Sequence, residues 1–429
     1  MTQLSAEPRP SWFVRARERA PLLLRENRDF RRYWVGQSIS LFGDQVTELA
    51  VPLVGVLVLH AGPAQMGYLT AVNLAPYLLF SLHAGAWVDR RGRRRQVMIA
   101  ADFGRALLLA SVPVAYAIDV LTLGQLYAVA FMTGTLSMLF FVSQSTLFVS
   151  LVPREQYLNA NSLLYGSRAF SFVGGPSVAG ALVQALSAPY ALVADSVSFL
   201  WSVSFLRRIA PVEPPTSTEE EGQVIAGARF IARSSVVRSA LGATATINFF
   251  NFAFFALFIL YATRYLHVRP GVLGLVLGAG AVGGLIGSAM TPWLGRRIGI
   301  GPAFLLGCVV FPAPIVLVPL AGGPHPLVLA MLFAAEFGSG LGVMILDISI
   351  GSIFAAVIPH SLRARVSGAY LVVNNGIRPL GSLFGGALGS AIGVRETLWI
   401  ATVGAIAGFL WLLPSPIPKL KELPDAPVG

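Results

Sequence analysis

The stretch "GAWVDRRGRRR", residues 85–95, gathers five arginines around Asp89 and Gly92 in a chain that is otherwise oily. Apolar runs of about twenty residues, the length of helix that crosses a hydrocarbon core of about 30 Å, lie on both sides of it. Charge is costly inside that core, so a basic cluster between two such runs marks a point where the chain leaves a membrane. The composition agrees: of 429 residues 55% are hydrophobic and 12% charged, against roughly 25% charged in ordinary soluble domains.

Outward from the cluster, twelve runs of spanning length are bounded by charge, Pro or Gly: 34–60, 64–88, 96–118, 122–151, 158–186, 189–206, 239–265, 271–294, 301–321, 326–352, 366–391 and 396–414. They are too long for the strands of a membrane barrel and lack its alternation, so helices are expected and strands are not. Basic residues fall in alternate connections. Eight precede residue 34, five lie in 89–95 and five in 207–238, whereas only Arg264, Arg269 and Arg395 fall on the other side. The positive-inside rule then places both termini in the cytoplasm of a cell inner (plasma) membrane protein. The same distribution accounts for the net charge of +11 without a nucleic-acid partner, since no single recognition face collects the arginines. The first 28 residues are polar and arginine-rich, and no cleavable signal is expected. The single cysteine, Cys308, gives no disulfide framework.

The longest connection, 207–238, starts as a polar proline-containing linker, "RRIAPVEPPTSTEEE", and continues as an amphipathic stretch, "GQVIAGARFIARSSVV". It separates an N-terminal bundle, 34–206, from a C-terminal bundle, 239–414, with cytoplasmic tails at 1–33 and 415–429. In the first tail Trp12 and Phe13 would lie on the apolar side of an in-plane helix; a disordered tail is the alternative. The halves repeat. "PAQMGYL" from Pro63 matches "PGVLGLV" from Pro270 at an offset of 207, and Trp87 with Arg90–Arg91 falls on Trp293 with Arg296–Arg297 at 206. "GAL" at 180–182 meets "GAL" at 386–388. Duplicated six-helix bundles are the arrangement that lets two halves rock around a site at mid-membrane.

With these features the chain resembles the major facilitator superfamily over nearly its whole length. The family's signature between its second and third helices reads roughly GxxxDRxGRR, and Gly85, Asp89, Arg90, Gly92, Arg93 and Arg94 fit it. The resemblance implies an all-α fold of twelve membrane helices in two pseudo-symmetric bundles. It also implies that these residues latch the cytoplasmic faces together in the outward-open state, with Asp89 meeting the start of the eleventh helix near Arg365 to Gly368, where a helix N-terminus favours a carboxylate. The second-half copy, "PWLGRRIG", carries Gly295 in place of the aspartate. "GSRAFSFVGGPSVAG", 166–180, resembles the antiporter motif of exporters in this family at Gly175, Pro176 and Gly180, with Ser171 and Ala179 in place of glycines. "SLFGD", "ADFGRA", "LVPREQYLNANSL" and "ADSVSFL" are similar to the branch that contains macrolide effluxers and the enterobactin exporter. The arginine that many drug/proton antiporters carry in the fourth helix is absent from "LYAVAFMTGTLSMLFF".

Ionisable residues at bilayer depth face a cavity or a partner. Asp44 and Glu48, at i and i+4, share a face of the first helix and are candidates for proton coupling; the alternative for Asp44 is a hydrogen bond to a neighbouring helix. Glu336 is the third coupling candidate; Asp347, three turns on, lies closer to the cytoplasmic end. Asp102 and Arg105, one turn apart, read as an ion pair. Arg168, Asn248, Asn251, Asn374 and Arg378 are candidates for the substrate cavity, with structural pairing open for the arginines. Asp195 reads as a packing or capping residue, and His83 as interfacial. "INFFNFAFFALF", 247–258, could line an apolar pocket or face lipid.

Other chemistries lack support. The GxGxxG match at Gly278, Gly280 and Gly283 sits inside a membrane run with no strand before it. The chain has two lysines, Lys419 and Lys421, so no Walker loop can precede them. No nucleophile elbow, metal motif or cofactor site is seen, and an enzyme is not expected. The expected protein is a monomeric secondary exporter of an amphipathic drug, antibiotic or siderophore, with membrane lipid, a small-molecule substrate and protons as its partners. Uptake of a nutrient or lysolipid is the alternative, and a sensor or intramembrane enzyme a more remote one.

Overall fold

The structure is a computed structural model that describes residues 22–211, 229–360 and 362–422. Within these, the side chains of 22, 81–86, 89, 91, 145, 146 and 364 lie outside the description, as do the tail with Trp12 and Phe13 and most of the linker. The described residues contain helices and no strand. A short helix, Leu22–Glu26, precedes α1 (Arg28–Leu53), and α2 (Pro63–Arg91), α3 (Arg94–Ala117), α4 (Leu123–Leu151), α5 (Tyr157–Leu186) and α6 (Ala188–Leu206) complete the first bundle. The second holds α7 (Ser235–Leu260), α8 (Pro270–Ile298), α9 (Ile300–Val310, continued by Ala313–Val316 and Leu317–Leu320), α10 (His325–Val357), α11 (Arg363–Ile392) and α12 (Val394–Ala407, continued by Gly408–Leu412). Nine of the segments among the described residues are long and apolar enough to cross a membrane by length and composition alone.

Local sequence sets the helix ends. Asn27 caps α1 by accepting from Phe30 N–H, and Thr122 and Ser234 cap α4 and α7, filling donors that a helix start leaves open. Gly92 ends α2 with φ 60°, a left-handed turn that only glycine makes without strain. The chain then reverses directly into α3, and the last residue of the basic cluster is tied down: the Arg95 guanidinium donates to the Ile209 carbonyl beyond α6. Arg32 donates to the neighbouring Arg208 carbonyl.

The duplication is visible in backbone detail. Beyond α1, Leu59 N–H bonds Val54 O and Ala61 N–H bonds Gly55 O in a widened turn that ends with His60 at φ 51°. Beyond α7, Leu266 bonds Tyr261, Val268 bonds Ala262, and His267 has φ 53°. Every partner is displaced by the offset of 207 already present in the sequence.

Connections 92–93, 207–211 and 359–360 lie at one end, called here the basic end; 59–62, 118–122, 187, 266–269 and 393 lie at the opposite end. Two inter-bundle seams join the halves, α2 with α11 and α5 with α8. Both are closest at the opposite end, and at each a glycine meets a glycine. A Cβ added to Gly274 would lie 3.0 Å from Gly180 Cα, and one added to Gly386 would lie 2.8 Å from Gly67 Cα. Small residues are what bring membrane helices into backbone contact, since lipid supplies no hydrophobic drive to pack them. Three hydrogen bonds lock the same end: Ala64 N–H to Ser390 Oγ at 3.0 Å, Gly271 N–H to Gln184 Oε1 at 3.0 Å, and Arg264 Nη2 to Val56 O at 3.1 Å.

The buried core follows this asymmetry. One continuous cluster straddles both bundles at the opposite end, holding Leu49, Val183, Leu257, Leu273, Leu332 and Leu398. Toward the basic end each bundle has a cluster of its own, one around Phe30, Tyr33, Met98 and Leu147 and one around Val237, Phe304, Cys308 and Ile353. Phe230 and Ile231, from the amphipathic stretch of the linker, pack on the latter. Gly166, Gly351 and Gly368, all toward the basic end, have nothing within 4 Å of an added Cβ. Among the described residues, the molecule is closed at the opposite end and parted at the basic end.

Candidate functional site

Between the bundles lies a cavity of about 920 Å³, within the range of drug-sized binding sites. The first bundle lines it with Gln45, Glu48 and Leu49 of α1 and Tyr165, Arg168, Phe172 and Pro176 of α5. The second contributes Phe255 and Ile259 of α7, Leu277, Gly280 and Ala281 of α8, and Glu336, Ser339 and Asp347 of α10. Its surface is mostly apolar, and three of its polar groups are carboxylates, against one guanidinium.

A second cavity of about 570 Å³ lies within the first bundle, lined by Tyr33, Gln37, Ser40, Asp44, Tyr77, Arg105, Ser137, Gln144 and Asn161. Tyr165 and Arg168 line both cavities and stand where the two adjoin. Asp44 and Glu48, expected to act from one face, are therefore divided: Asp44 faces the polar cavity and Glu48 the apolar one. The spacing i, i+4 does place them on neighbouring turns, but α5 packs against α1 between the two openings. The α1–α5 contact is close, with Ser171 Oγ donating to Leu41 O at 2.6 Å and Gly175 lying on the Gln45 side chain.

Asp102 and Arg105 form a buried ion pair, the aspartate 0% and the arginine 4% exposed. The guanidinium is sandwiched by Phe199 and Phe140, with its carbon 4.0 and 4.8 Å from the ring centroids. It donates to Ser137 Oγ at 3.2 Å and lies 3.7 Å from Asp44 Oδ1. Asp44, its side chain 44% exposed to the polar cavity, is the accessible carboxylate of this group, and Asp102 the enclosed one. Asp195, fully buried in α6, accepts from Thr47 and Ser198 hydroxyls. It fits only because Gly43 has no side chain.

Glu48 accepts from Gln45 Nε2 at 3.3 Å. Glu336 stands without a hydrogen bond or ion pair among the described residues, and the missing side chain of Gly280 leaves room opposite it. The remaining cavity candidates are placed elsewhere. Asn248 Nδ2 donates to Asn374 Oδ1 at 3.0 Å, within a network that also holds Thr244 and Tyr370 between α7 and α11. Arg378 lies over the Phe252 ring, 5.2 Å from its centroid. None of these three, nor Asn251, is on the lining of the central cavity. The motif glycines divide their work: Gly175 packs on α1, Pro176 lines the cavity and Gly180 meets α8 across the seam. The helical backbone of α2 runs through Gly85 and Asp89, but the side chain of Asp89 lies outside the described residues; Arg90 and Arg93 are exposed and Arg94 is buried. Gln45, Tyr165 and Phe172 were not among the sequence candidates for the cavity; Phe255 lay within the stretch 247–258 offered as pocket lining, and Asp347 was ranked below Glu336. None of the three missed residues carried a signal that separates it from ordinary helix packing.

Two six-helix bundles joined at one end, with a ligand-sized cavity at mid-depth between them, define a membrane transporter and not an enzyme. The chain belongs to the Major Facilitator Superfamily, whose model matches residues 33–378 and 241–428. It is 26% identical to the multidrug efflux pump Tap of Mycolicibacterium fortuitum over 403 residues, 89% of this chain and 93% of that one. It is 25% identical to the uncharacterized MFS-type transporter YfiS of Bacillus subtilis (strain 168), over 87% of this chain and 89% of that one. Among solved structures it resembles a bacterial homologue of the iron transporter ferroportin at 17–18% identity. The TM-score is 0.71 for the inward-facing state, covering 92% of this chain and 99% of that one, and 0.57 for the outward-facing state, covering 90% and 98%. The nucleoside transporter NupG gives 0.70 at 12% identity, covering 90% of this chain and 98% of that one.

Proposed function

We propose that the protein is a secondary exporter of amphipathic small molecules that works by alternating access, with the basic end in the cytoplasm and proton entry as the driving force. The carrying observation is the mid-depth cavity, apolar for a bulky cargo, with Glu48 and Glu336 on opposite walls and its closed side away from the basic loops. The likeness to a multidrug efflux pump supports the outward direction. Asp44, beside Arg105 in the adjoining polar cavity, gives protons a carboxylate that cargo does not occupy. Asp102 serves as the fixed counter-charge of Arg105. The two bundles are the moving parts, and the loop from Gly85 to Arg94 is their latch in the other state.

Everted membrane vesicles incubated with N-phenyl-1-naphthylamine, an uncharged amphipathic dye, in the outer medium provide the test. Acidifying the lumen is expected to drive dye uptake that a protonophore abolishes. Uptake indifferent to the pH gradient would remove the coupling, and accumulation only in right-side-out vesicles would reverse the direction. For the latch, Asp89→Asn is expected to slow turnover several-fold while dye binding to the purified protein is unchanged; equal losses in both would return the loop to an orientation signal alone.

A further inference from the structure

Glu336 sits about a third of the way along α10 on the wall of the central cavity, and no described residue gives it a hydrogen bond or an opposite charge. Facing it on α8 are Leu277, Gly280 and Ala281, which can give it neither. An ionised carboxylate in an apolar wall at membrane depth is expensive unless something of opposite sign comes to it. Across the cavity, Glu48 on α1 has only the Gln45 amide. The lining carries three carboxylates, Glu48, Glu336 and Asp347, and one guanidinium, Arg168, among the described residues. Arg378 acts on Asp347 from off the lining. Negative charge is in excess, and the excess is concentrated on the two glutamates.

We propose that the cavity selects lipophilic cations, the cationic group lying between Glu48 and Glu336 and the apolar body resting on Phe172 and Phe255. The aromatic faces suit such a cation as well, because the ring quadrupole attracts positive charge. The two glutamates belong to opposite bundles, so one bound cation is attracted to both halves and offsets the repulsion between them; an anion of the same shape would be repelled by both. Arg168 stands at the border with the polar cavity, and its charge keeps the cationic group on the glutamate side of that border. The inference rests on the central cavity being the cargo site, and not on the direction of transport.

The test uses two ions of nearly identical shape and opposite charge, tetraphenylphosphonium and tetraphenylborate, titrated into the purified full-length protein in nanodiscs of neutral lipid. The phosphonium is expected to bind at least about tenfold more tightly than the borate. Glu336→Gln is expected to weaken the phosphonium about tenfold and to leave or improve the borate, whereas Arg168→Gln spares the phosphonium and weakens the borate. Equal affinities for the two ions in the wild-type protein, or a tighter borate, overturn the proposal without use of any variant. An unchanged phosphonium affinity in a folded Glu336→Gln protein overturns it too. Because binding is read with no gradient present, these outcomes leave the export reading to the vesicle experiment with the uncharged dye.

Discussion

Glu336→Gln is expected to abolish proton-driven transport while raising the thermal stability of the protein. Glutamine has nearly the same shape, so packing beside Gly280 is kept, but it cannot exchange a proton or hold a full charge. Glu336 makes no hydrogen bond or ion pair with the described residues, so nothing is broken by the change. A charged side chain at the centre of a membrane helix costs about 3 kcal/mol by insertion measurements, and removing it returns part of that to stability. Asp102→Asn is the contrasting case. It strips the buried partner from Arg105, which is 4% exposed and held between Phe199 and Phe140. Breaking one side of such a pair costs about 3–5 kcal/mol, so this variant should unfold at markedly lower temperature. Thermal unfolding of both variants, with uptake assays on the same membranes, separates a working charge from a structural one. A Glu336→Gln protein that is less stable, or that still transports with the wild-type pH dependence, would contradict the assignment.

Gly274→Leu is expected to shift the protein away from the state seen here and toward one open at the opposite end. In this structure Gly274 lies against Gly180 and the Pro176 carbonyl, with α5 and α8 in backbone contact. A leucine cannot be placed there without forcing the helices apart, and overpacking of that kind costs about 1–3 kcal/mol. Each 1.4 kcal/mol is about tenfold in a two-state population. Because the clash exists only when the opposite end is closed, the full penalty falls on one state. Gly386→Leu, on the seam of α2 and α11, should act in the same direction through Gly67. Gly351→Ala is the control, since nothing lies within 4 Å of an added Cβ there. Spin labels on Val120 and Gly322, in opposite-end connections of the two bundles, should move apart in the leucine variants and stay as in wild type in the control.

The fold was legible because membrane helices announce themselves by length and hydropathy, and because "GAWVDRRGRRR" breaks the pattern where two of them are joined. The duplication was legible as an offset of 206–207, which the structure repeats down to the histidines at 60 and 267. The candidate site was only partly legible. An acid in a membrane run is a strong signal, and Glu48, Asp44 and Glu336 do face cavities. Helical spacing on one chain segment, however, says nothing of the neighbour that packs against it. Asp44 and Glu48 are one turn apart and yet open into different cavities, because α5 lies between. Asn248 and Asn374 were equally plausible as cavity groups, and only the crossing of α7 and α11 shows that they bond each other. Apolar lining such as Phe172 and Phe255 has no signature that separates it from lipid-facing phenylalanine.

Export by this route requires a cavity whose access alternates between the two ends. Cys308 is the only cysteine in the chain and is fully buried, so a single new thiol can report access. Ala281→Cys places one on the cavity wall, where a membrane-impermeant maleimide can be offered from either side. Labelling is expected from the cytoplasmic side alone in the resting protein, and from the outer side once Gly274→Leu is added. Labelling from the outer side alone at rest, or access that Gly274→Leu leaves unchanged, would contradict alternating access through this cavity.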